Sequence, residues 1–393
     1  MNKGSAPVLS SRSKGTLLPM PERTRAVSAI LPWLGLFLFL GTLFLPGVYY
    51  AGDKYWLPLF TRYMALAIFA LSTDLIWGYT GLLSLGQGLY FGLGAYMVGY
   101  SLKLQSAANE AGRKLVAAPD MALPDFMEYC RLPAVPGWIA PLINIWLALA
   151  LAVILPTLVA MLFGSLTFHR RIKGVYFSIV TQALVLAVYT FVVSQQPYTG
   201  GIVGMTKLAK LELFGHRFVM LSLYNLITGI LVACALLCAI LMKSKFGKVI
   251  TGIRDSEYRV MALGYNAAMY KTFVFALAGG LAGLAGALYV SALGTTGPDS
   301  FQIGFSIEVV IFVAVGGRGT LIGAILGAVL VNLASTYIND EFKQAWPFIL
   351  GALFIIVVVF MPNGIIGVLR RIPAVTKKLL FRKKPTTHRE GHV

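Results

Sequence analysis

Charge is scarce in this chain, and negative charge scarcer still: of 393 residues 12% are charged, with 15 Asp and Glu against 33 Lys and Arg. A soluble domain needs roughly twice that share of charged residues to keep its surface wet. With 58% hydrophobic residues and a mean hydropathy of +0.77, the soluble classes are excluded before any motif is read. Cysteine is almost absent. Of the three, Cys130, Cys234 and Cys238, the last two lie one helical turn apart inside an apolar run, which gives no disulfide framework and no metal-ligand spacing. Also missing are G-x-x-x-x-G-K-[ST], H-E-x-x-H and a G-x-S-x-G elbow in a strand context, so no centre for nucleotide hydrolysis or other catalysis is expected, and no resident metal or cofactor. The net charge of +18 does not signal nucleic acid, because the cations sit in short connections and tails instead of on one amphipathic face.

Long apolar runs fill most of the chain. Each is long enough at 1.5 Å per helical residue to cross a hydrocarbon core of roughly 30 Å. Hydropathy and breakers together predict ten spans, near 28–48, 60–78, 82–102, 141–166, 174–194, 219–242, 272–293, 306–316, 320–336 and 346–362. The fold class expected is therefore an all-α polytopic membrane protein with some spans short or broken. The eighth is too short to cross alone and reads as a half-helix interrupted at Gly316, Gly317 and Gly319. The first run follows Arg12, Lys14, Arg23 and Arg25 as a signal peptide would, but its apolar core is too long and no small-x-small cleavage site follows, so an uncleaved span is expected.

The distribution of cations tests this count. With the N-terminus inside, the inner segments take Lys3 to Arg25, then Arg170, Arg171 and Lys173, then Lys243 to Lys271, Arg318, and the cations after Asn363, which is most of the 33, while most of the acids fall outside. Both termini are thus expected in the cytoplasm. The chain divides into an N-terminal tail, 1–26, a membrane domain, 27–369, and a basic tail, 370–393, suited either to anionic headgroups or to a disordered, topology-fixing end. Two connections exceed what packing needs. The outer one, 103–136, carries a balanced set of charges and reads either as a surface for a soluble partner or as a spacer. The inner one, 243–271, contains Val249 to Leu263, predicted as one amphipathic helix with Ile250, Ile253, Val260 and Met261 on one side and a stop at Gly264. Its Arg254, Asp255, Glu257 and Arg259 are suited to reading a groove in a partner.

Polar groups inside the apolar runs are the candidates for a solute path. Tyr79, Thr80 and Gln87 bring hydrogen-bonding groups into a glycine-rich stretch, where they serve either a water-filled path or interhelical contact. Asp74 and Glu308 are ionisable groups within spans; Asp74 either bonds the following glycine-rich turn or lines a path. Thr199, Gly200 and Gly201 open a second break, and Gly316 to Gly319 a third, where freed backbone amides either hold solute or merely turn the chain. Gly279, Gly280, Gly283 and Gly286 form a small-residue face expected to pack against another helix.

Taken in order, four stretches resemble the branched-chain amino acid type of ABC transporter permease, most closely its urea-importing branch. They are Gly78 to Tyr96; Thr199-Gly200-Gly201; Lys245-Phe246-Gly247-Lys248 through Arg254-Asp255-Ser256-Glu257 to Leu263-Gly264-Tyr265-Asn266; and Gly316 to Ala324. The resemblance covers roughly Tyr55 to Leu369. It implies a bacterial inner-membrane importer of the second type with a second homologous permease, two ATPase subunits holding ATP and magnesium, and a periplasmic solute-binding protein. It further implies that Phe246, Gly247 and Gly264, with the charged residues between them, form the segment that couples to the ATPase. Urea is small, neutral and able to donate and accept hydrogen bonds, so a path with Gln87, Tyr90 and Thr199 suits it; a branched-chain amino acid permease and a passive facilitator are the alternatives.

Overall fold

The computed structural model describes residues 35–110, 121–170, 174–341, 346–360 and 364–367; the two expected tails, 1–26 and 370–393, lie outside them. Residues 35–42 are helical and belong to a unit that ends at Leu43. The remainder is a helical bundle whose main elements, apart from the short helices Leu45–Tyr49, Asp125–Tyr129 and Gln196–Thr199, are α1 (Trp56–Asp74), α2 (Gln87–Glu110), α3 (Ile145–His169), α4 (Val175–Ser194), α5 (Met220–Lys243), α6 (Lys245–Asp255), α7 (Glu257–Ala262), α8 (Ala267–Leu293), α9 (Ile303–Gly316), α10 (Leu321–Glu341) and α11 (Trp346–Phe360). Among the described residues the strands are a two-residue antiparallel hairpin, Glu212–Leu213 with His216–Arg217.

Local chemistry sets several helix ends. Asp53 Oδ1 accepts the N–H groups of Tyr55 and Trp56, at 2.8 and 3.2 Å, and so starts α1 earlier than hydropathy suggests. Asn266 Oδ1 accepts the Met269 N–H at 3.3 Å and starts α8. Hydropathy predicts that start at 272; the helix begins earlier and takes in Lys271, which is buried and paired with Glu257 at 2.8 Å. α1 continues into a wider π-helical turn, Leu75–Thr80, that closes on Gly81 at φ +75°, a left-handed conformation which glycine adopts without strain.

Burial sorts the helices into layers. α1 and α8 are enclosed almost throughout, whereas α3 and α4 turn most of their surface outward through Leu158, Met161, Leu162, Leu166, Ile179 and Phe191, as lipid-facing helices do. α8 touches α1, α2 and α3. Its small-residue face carries these contacts: Gly279 meets Ala160 and Pro156, Gly283 meets the Ala152 carbonyl and Gly94, and Gly286 meets the Phe91 carbonyl. Without a hydrophobic drive between helices in lipid, such close backbone approach supplies the van der Waals energy of association.

Among the described residues six helical spans are long and apolar enough to cross a bilayer, Trp56–Thr80, Ile145–His169, Val175–Ser194, Met220–Lys243, Ala267–Leu293 and Leu321–Ile338, while Ile303–Gly316 is short, as expected. The other long element, α2, has 24 residues but is diluted by glycine and polar groups, and the interior shields it.

Three expectations are corrected. The predicted third span, 82–102, begins at Gln87, since Gly81 to Gly86 is loop. The 103–136 connection is not wholly loop: α2 runs on to Glu110 because the Lys103 ammonium, 3% exposed, is met by Asp125 at 2.9 Å and by the Thr206 carbonyl at 2.8 Å. Val249 to Leu263 is not one helix: Ser256 is extended, φ −163° and ψ 97°, and separates α6 from α7, so the second half turns to bring Glu257 onto Lys271. The apolar side reading holds for Ile250, Ile253 and Val260, which are buried, and Gly264 does end the segment at φ +87°.

Candidate functional site

Two ends of the bundle can be told apart by their residues. One carries α6, α7, Lys245, Lys248, Arg259 and Arg318 and is called here the basic end; the other carries the Lys103–Asp125 pair and the hairpin.

At the basic end, broken helices converge. Asp74, the last residue of α1, is wholly buried; its Oδ1 accepts the Gly319 N–H at 2.6 Å, and its Oδ2 has no hydrogen-bond partner among the described residues. The carboxylate does bond a glycine-rich turn, but the turn between α9 and α10 instead of the one that follows it. Gly78 is pressed between Asp74 Oδ1 and the Gly319 backbone, and Gly364, at φ +61°, backs onto Gly316 and Gly317. Thr80 is buried and turns its hydroxyl onto the Ile76 carbonyl, while Tyr79 is half-buried beside it.

Deeper in the bundle the loop before α2 is held by hydroxyls that the sequence reading missed. Ser178 Oγ donates to the Leu83 carbonyl at 2.6 Å, Thr181 Oγ1 accepts from Leu85 N–H at 3.2 Å, and Ser306 Oγ accepts from Gly88 N–H at 2.9 Å. The signal for them was present as isolated Ser and Thr in apolar runs. Gln87 opens α2 at 1% exposure, and neither its Oε1 nor its Nε2 has a partner among the described residues. A buried amide left unmatched is costly, which sets Gln87 apart from the satisfied hydroxyls around it. Tyr90, one turn on, packs its ring edge-on against Phe275 at 5.5 Å, within an aromatic cluster containing Phe168 and Phe177. Glu308 is half-buried on α9 with no hydrogen bond or ion pair among the described residues, and Tyr289 lies within electrostatic reach of both it and Arg62.

Thr199, Gly200 and Gly201 sit at the opposite end and do not join Asp74 or Gln87. The Thr199 hydroxyl is spent on the Val192 and Gln195 carbonyls, at 2.6 and 2.8 Å, and Gly200 and Gly201 turn the chain at φ +79° and +60°. The turn leads to Met205, which bridges to Thr296 through mutual backbone bonds of 2.7 and 2.9 Å. Beside that bridge lies a cleft of about 310 Å³ lined by Thr206, Tyr289, Leu293, Thr296, Asp299 and Phe305.

The expected coupling residues divide by direction. Phe246 stacks on Tyr270 at 5.3 Å and Gly247 lies on the Met242 backbone, so both fasten α6 to its neighbours. Glu257 faces Lys271, and Arg254 Nη1 donates to the Gly78 carbonyl at 2.9 Å. Arg254 also pairs with Asp255 at 3.2 Å, and Arg254, Asp255, Arg259 and Gly264 are all exposed. Next to them is a groove of about 460 Å³ lined by His169, Glu257, Tyr258, Met261, Tyr265 and Asn266. Among the described residues no cluster of three His, Cys, Asp or Glu side chains is arranged to hold a metal ion.

A multi-pass bundle with interrupted helices, polar groups placed at the interruptions and an amphipathic segment beside them is the architecture of a transport permease. Residues 56–358 match the family described as the permease component of the branched-chain amino acid transport system, and the chain belongs to that family. It is 23% identical to the high-affinity branched-chain amino acid transport system permease protein LivM of Salmonella typhimurium, and 22% identical to LivM of Escherichia coli, over 79% of this chain and 69% of each relative. It is also 24% identical to the ribose import permease protein RbsC of Haemophilus influenzae, over 56% of this chain and 69% of that one. No solved structure is significantly similar to the chain.

Proposed function

We propose that the chain is a permease subunit of an ATP-driven importer for branched-chain amino acids. The observation that carries this reading is the family match, which takes in the whole bundle from α1 to α11 together with the basic-end segment, joined to relatives named for branched-chain amino acid transport. Those relatives weigh against the urea specificity expected from sequence likeness alone and favour its alternative.

In this reading a second homologous permease completes the path, two ATPase subunits bind ATP and magnesium and meet the basic end at α6 and α7, and an extracytoplasmic binding protein delivers solute to the other end. The chain has no phosphate-binding loop of its own, so uphill transport requires energy from elsewhere. The basic end is cytoplasmic by the charge rule. Polar backbone and side-chain groups at Asp74, Tyr79, Thr80, Gln87 and Glu308 supply the intramembrane hydrogen bonds a polar solute needs, and the cleft beside Thr296 receives it from outside.

Uptake of labelled leucine, ribose and urea into proteoliposomes holding the full complex, with an intact or a hydrolysis-dead ATPase, tests this. Leucine uptake that requires the intact ATPase is the expected result. Urea or ribose uptake without leucine uptake would replace the solute, and transport that ignores the dead ATPase would replace the class with a facilitator.

A further inference from the structure

Arg254 looks by sequence like a surface charge on a docking helix, and its side chain is 38% exposed with Nε donating to Asp255 at 3.2 Å, yet its other end reaches the broken-helix turns. Its Cγ lies against Gly81, where a Cβ would come within 2.9 Å, and its Nη1 donates to the Gly78 carbonyl at 2.9 Å across 176 residues of sequence. Gly78 in turn touches both Asp74 Oδ1 and the Gly319 backbone, and the Asp74–Gly319 bond closes the set. Arg318, next to Gly319, lies over the Trp77 ring at 5.8 Å. The backbones of the π-helical turn and the α9–α10 turn therefore meet with no side chain between them, and a guanidinium from α6 is bonded to the junction.

We propose that Arg254 and Asp74 are positioning residues of the transport cycle: together they fasten α6 to the two broken-helix turns, so that a displacement of α6 is carried directly into the membrane-embedded breaks. The inference rests on the reading that α6 meets an ATPase, and it adds that Arg254 acts within this chain instead of on the partner.

The physical reasons are three. The carbonyls at the end of a helix lack intrahelical partners, and a cation there satisfies one while complementing the helix dipole. A hydrogen bond of 2.9 Å is lost once the groups part beyond roughly 3.5 Å, so α6 cannot move far without either taking Gly78 along or leaving an orphaned carbonyl. Finally, α6 moves as a rigid piece, since it is an eleven-residue helix seated through buried Ile250 and Ile253. Asp74 adds the second fastening, because Gly319 cannot leave without exposing a buried carboxylate that has no other partner among the described residues.

The test uses the complete transporter in proteoliposomes, with the permease carrying Thr320→Cys in place of its native cysteines as a reporter at the junction. Arg254→Ala is expected to keep both ATPase subunits bound and basal ATP hydrolysis unchanged, to lower solute uptake at least tenfold with loss of solute-stimulated hydrolysis, and to raise maleimide labelling at the reporter several-fold. Arg254→Lys, which still presents a donor to Gly78, is expected to restore labelling and most uptake. Arg254→Ala that strips the ATPase from the membrane while labelling stays unchanged would overturn the proposal and return Arg254 to the docking face. Unchanged uptake and labelling would overturn it as well. If uptake proves independent of the ATPase even with Arg254 in place, the functional reading fails, and the labelling comparison still decides the fastening.

Discussion

Asp74 and Gly319 stand 245 residues apart in sequence, yet the Oδ1 atom of one accepts the backbone N–H of the other at 2.6 Å inside the bundle. The bond forms only because Gly78 leaves room for it, a Cβ at that position falling on both Asp74 Oδ1 and the Gly319 backbone. Gly78→Ala is therefore expected to destabilise the protein by about 1–3 kcal/mol, the usual range for overpacking, with a matching loss of uptake. Gly52→Ala, at a position with open space around it, serves as the control and is expected to be silent. Thermal unfolding of the detergent-purified protein compares the two.

Gln87 separates a solute path from a packing role. Its amide is 1% exposed and unpartnered among the described residues, so Gln87→Leu removes two buried polar atoms without breaking any protein hydrogen bond. Stability is expected to hold or rise while the uptake rate falls. Unchanged uptake at unchanged assembly would place Gln87 among the packing residues.

Lys103 carries a buried charge whose counter-ion, Asp125, is 46% exposed. Asp125→Ala should cost about 1–3 kcal/mol, between the magnitudes of exposed and fully buried pairs, because Lys103 keeps only the Thr206 carbonyl. Lys103→Met should cost less. Chemical or thermal denaturation of the two variants gives the order.

Glu257 and Lys271 make a more enclosed pair, at 23% and 8% side-chain exposure. Glu257→Gln strands the Lys271 ammonium and is expected to lose about 3 kcal/mol, whereas Glu257→Gln combined with Lys271→Met should recover at least about 1 kcal/mol of that loss. Strict additivity in the double-mutant cycle would show that the pair does not hold α7 in place.

Sidedness is open to a direct measurement. In a chain freed of its native cysteines, Tyr129→Cys and Tyr258→Cys occupy sites 88% and 72% exposed at opposite ends of the bundle. An impermeant maleimide should reach the first from outside cells and the second only from the cytoplasm. Labelling of both from one side would remove the N-in, C-in arrangement.

Much of the bundle was legible because lipid restricts the choices: long apolar runs must be helices, and small residues at three- or four-residue spacing favour interfaces. Gly279, Gly283 and Gly286 pack as that rule requires, and Ile303–Gly316 is short as its glycine stop suggests. Helix ends were less legible where a charge interrupts the pattern. Lys271 and Lys103 lie inside helices because a distant carboxylate neutralises each, and hydropathy read one residue at a time does not register such a partner. Among the candidate path residues, Asp74, Tyr79 and Thr80 precede the loop before α2 and Gln87 and Tyr90 follow it, Tyr90 with its ring in an aromatic cluster, while the Thr199 hydroxyl is bonded to its own turn, because side-chain surroundings depend on helix rotation and loop path.

The sequence by itself determined that the chain threads a membrane, roughly where most of its long helices lie, and which end is basic, since each of these follows from the solvation of single residues in lipid or water. Only the tertiary structure decided which broken helices meet, that Ser256 divides the amphipathic segment, and that Arg254 bonds Gly78 while Asp74 bonds Gly319. Those outcomes depend on backbone contacts between segments up to 245 residues apart, and the energy of such a contact belongs to the pair and is written in neither residue alone.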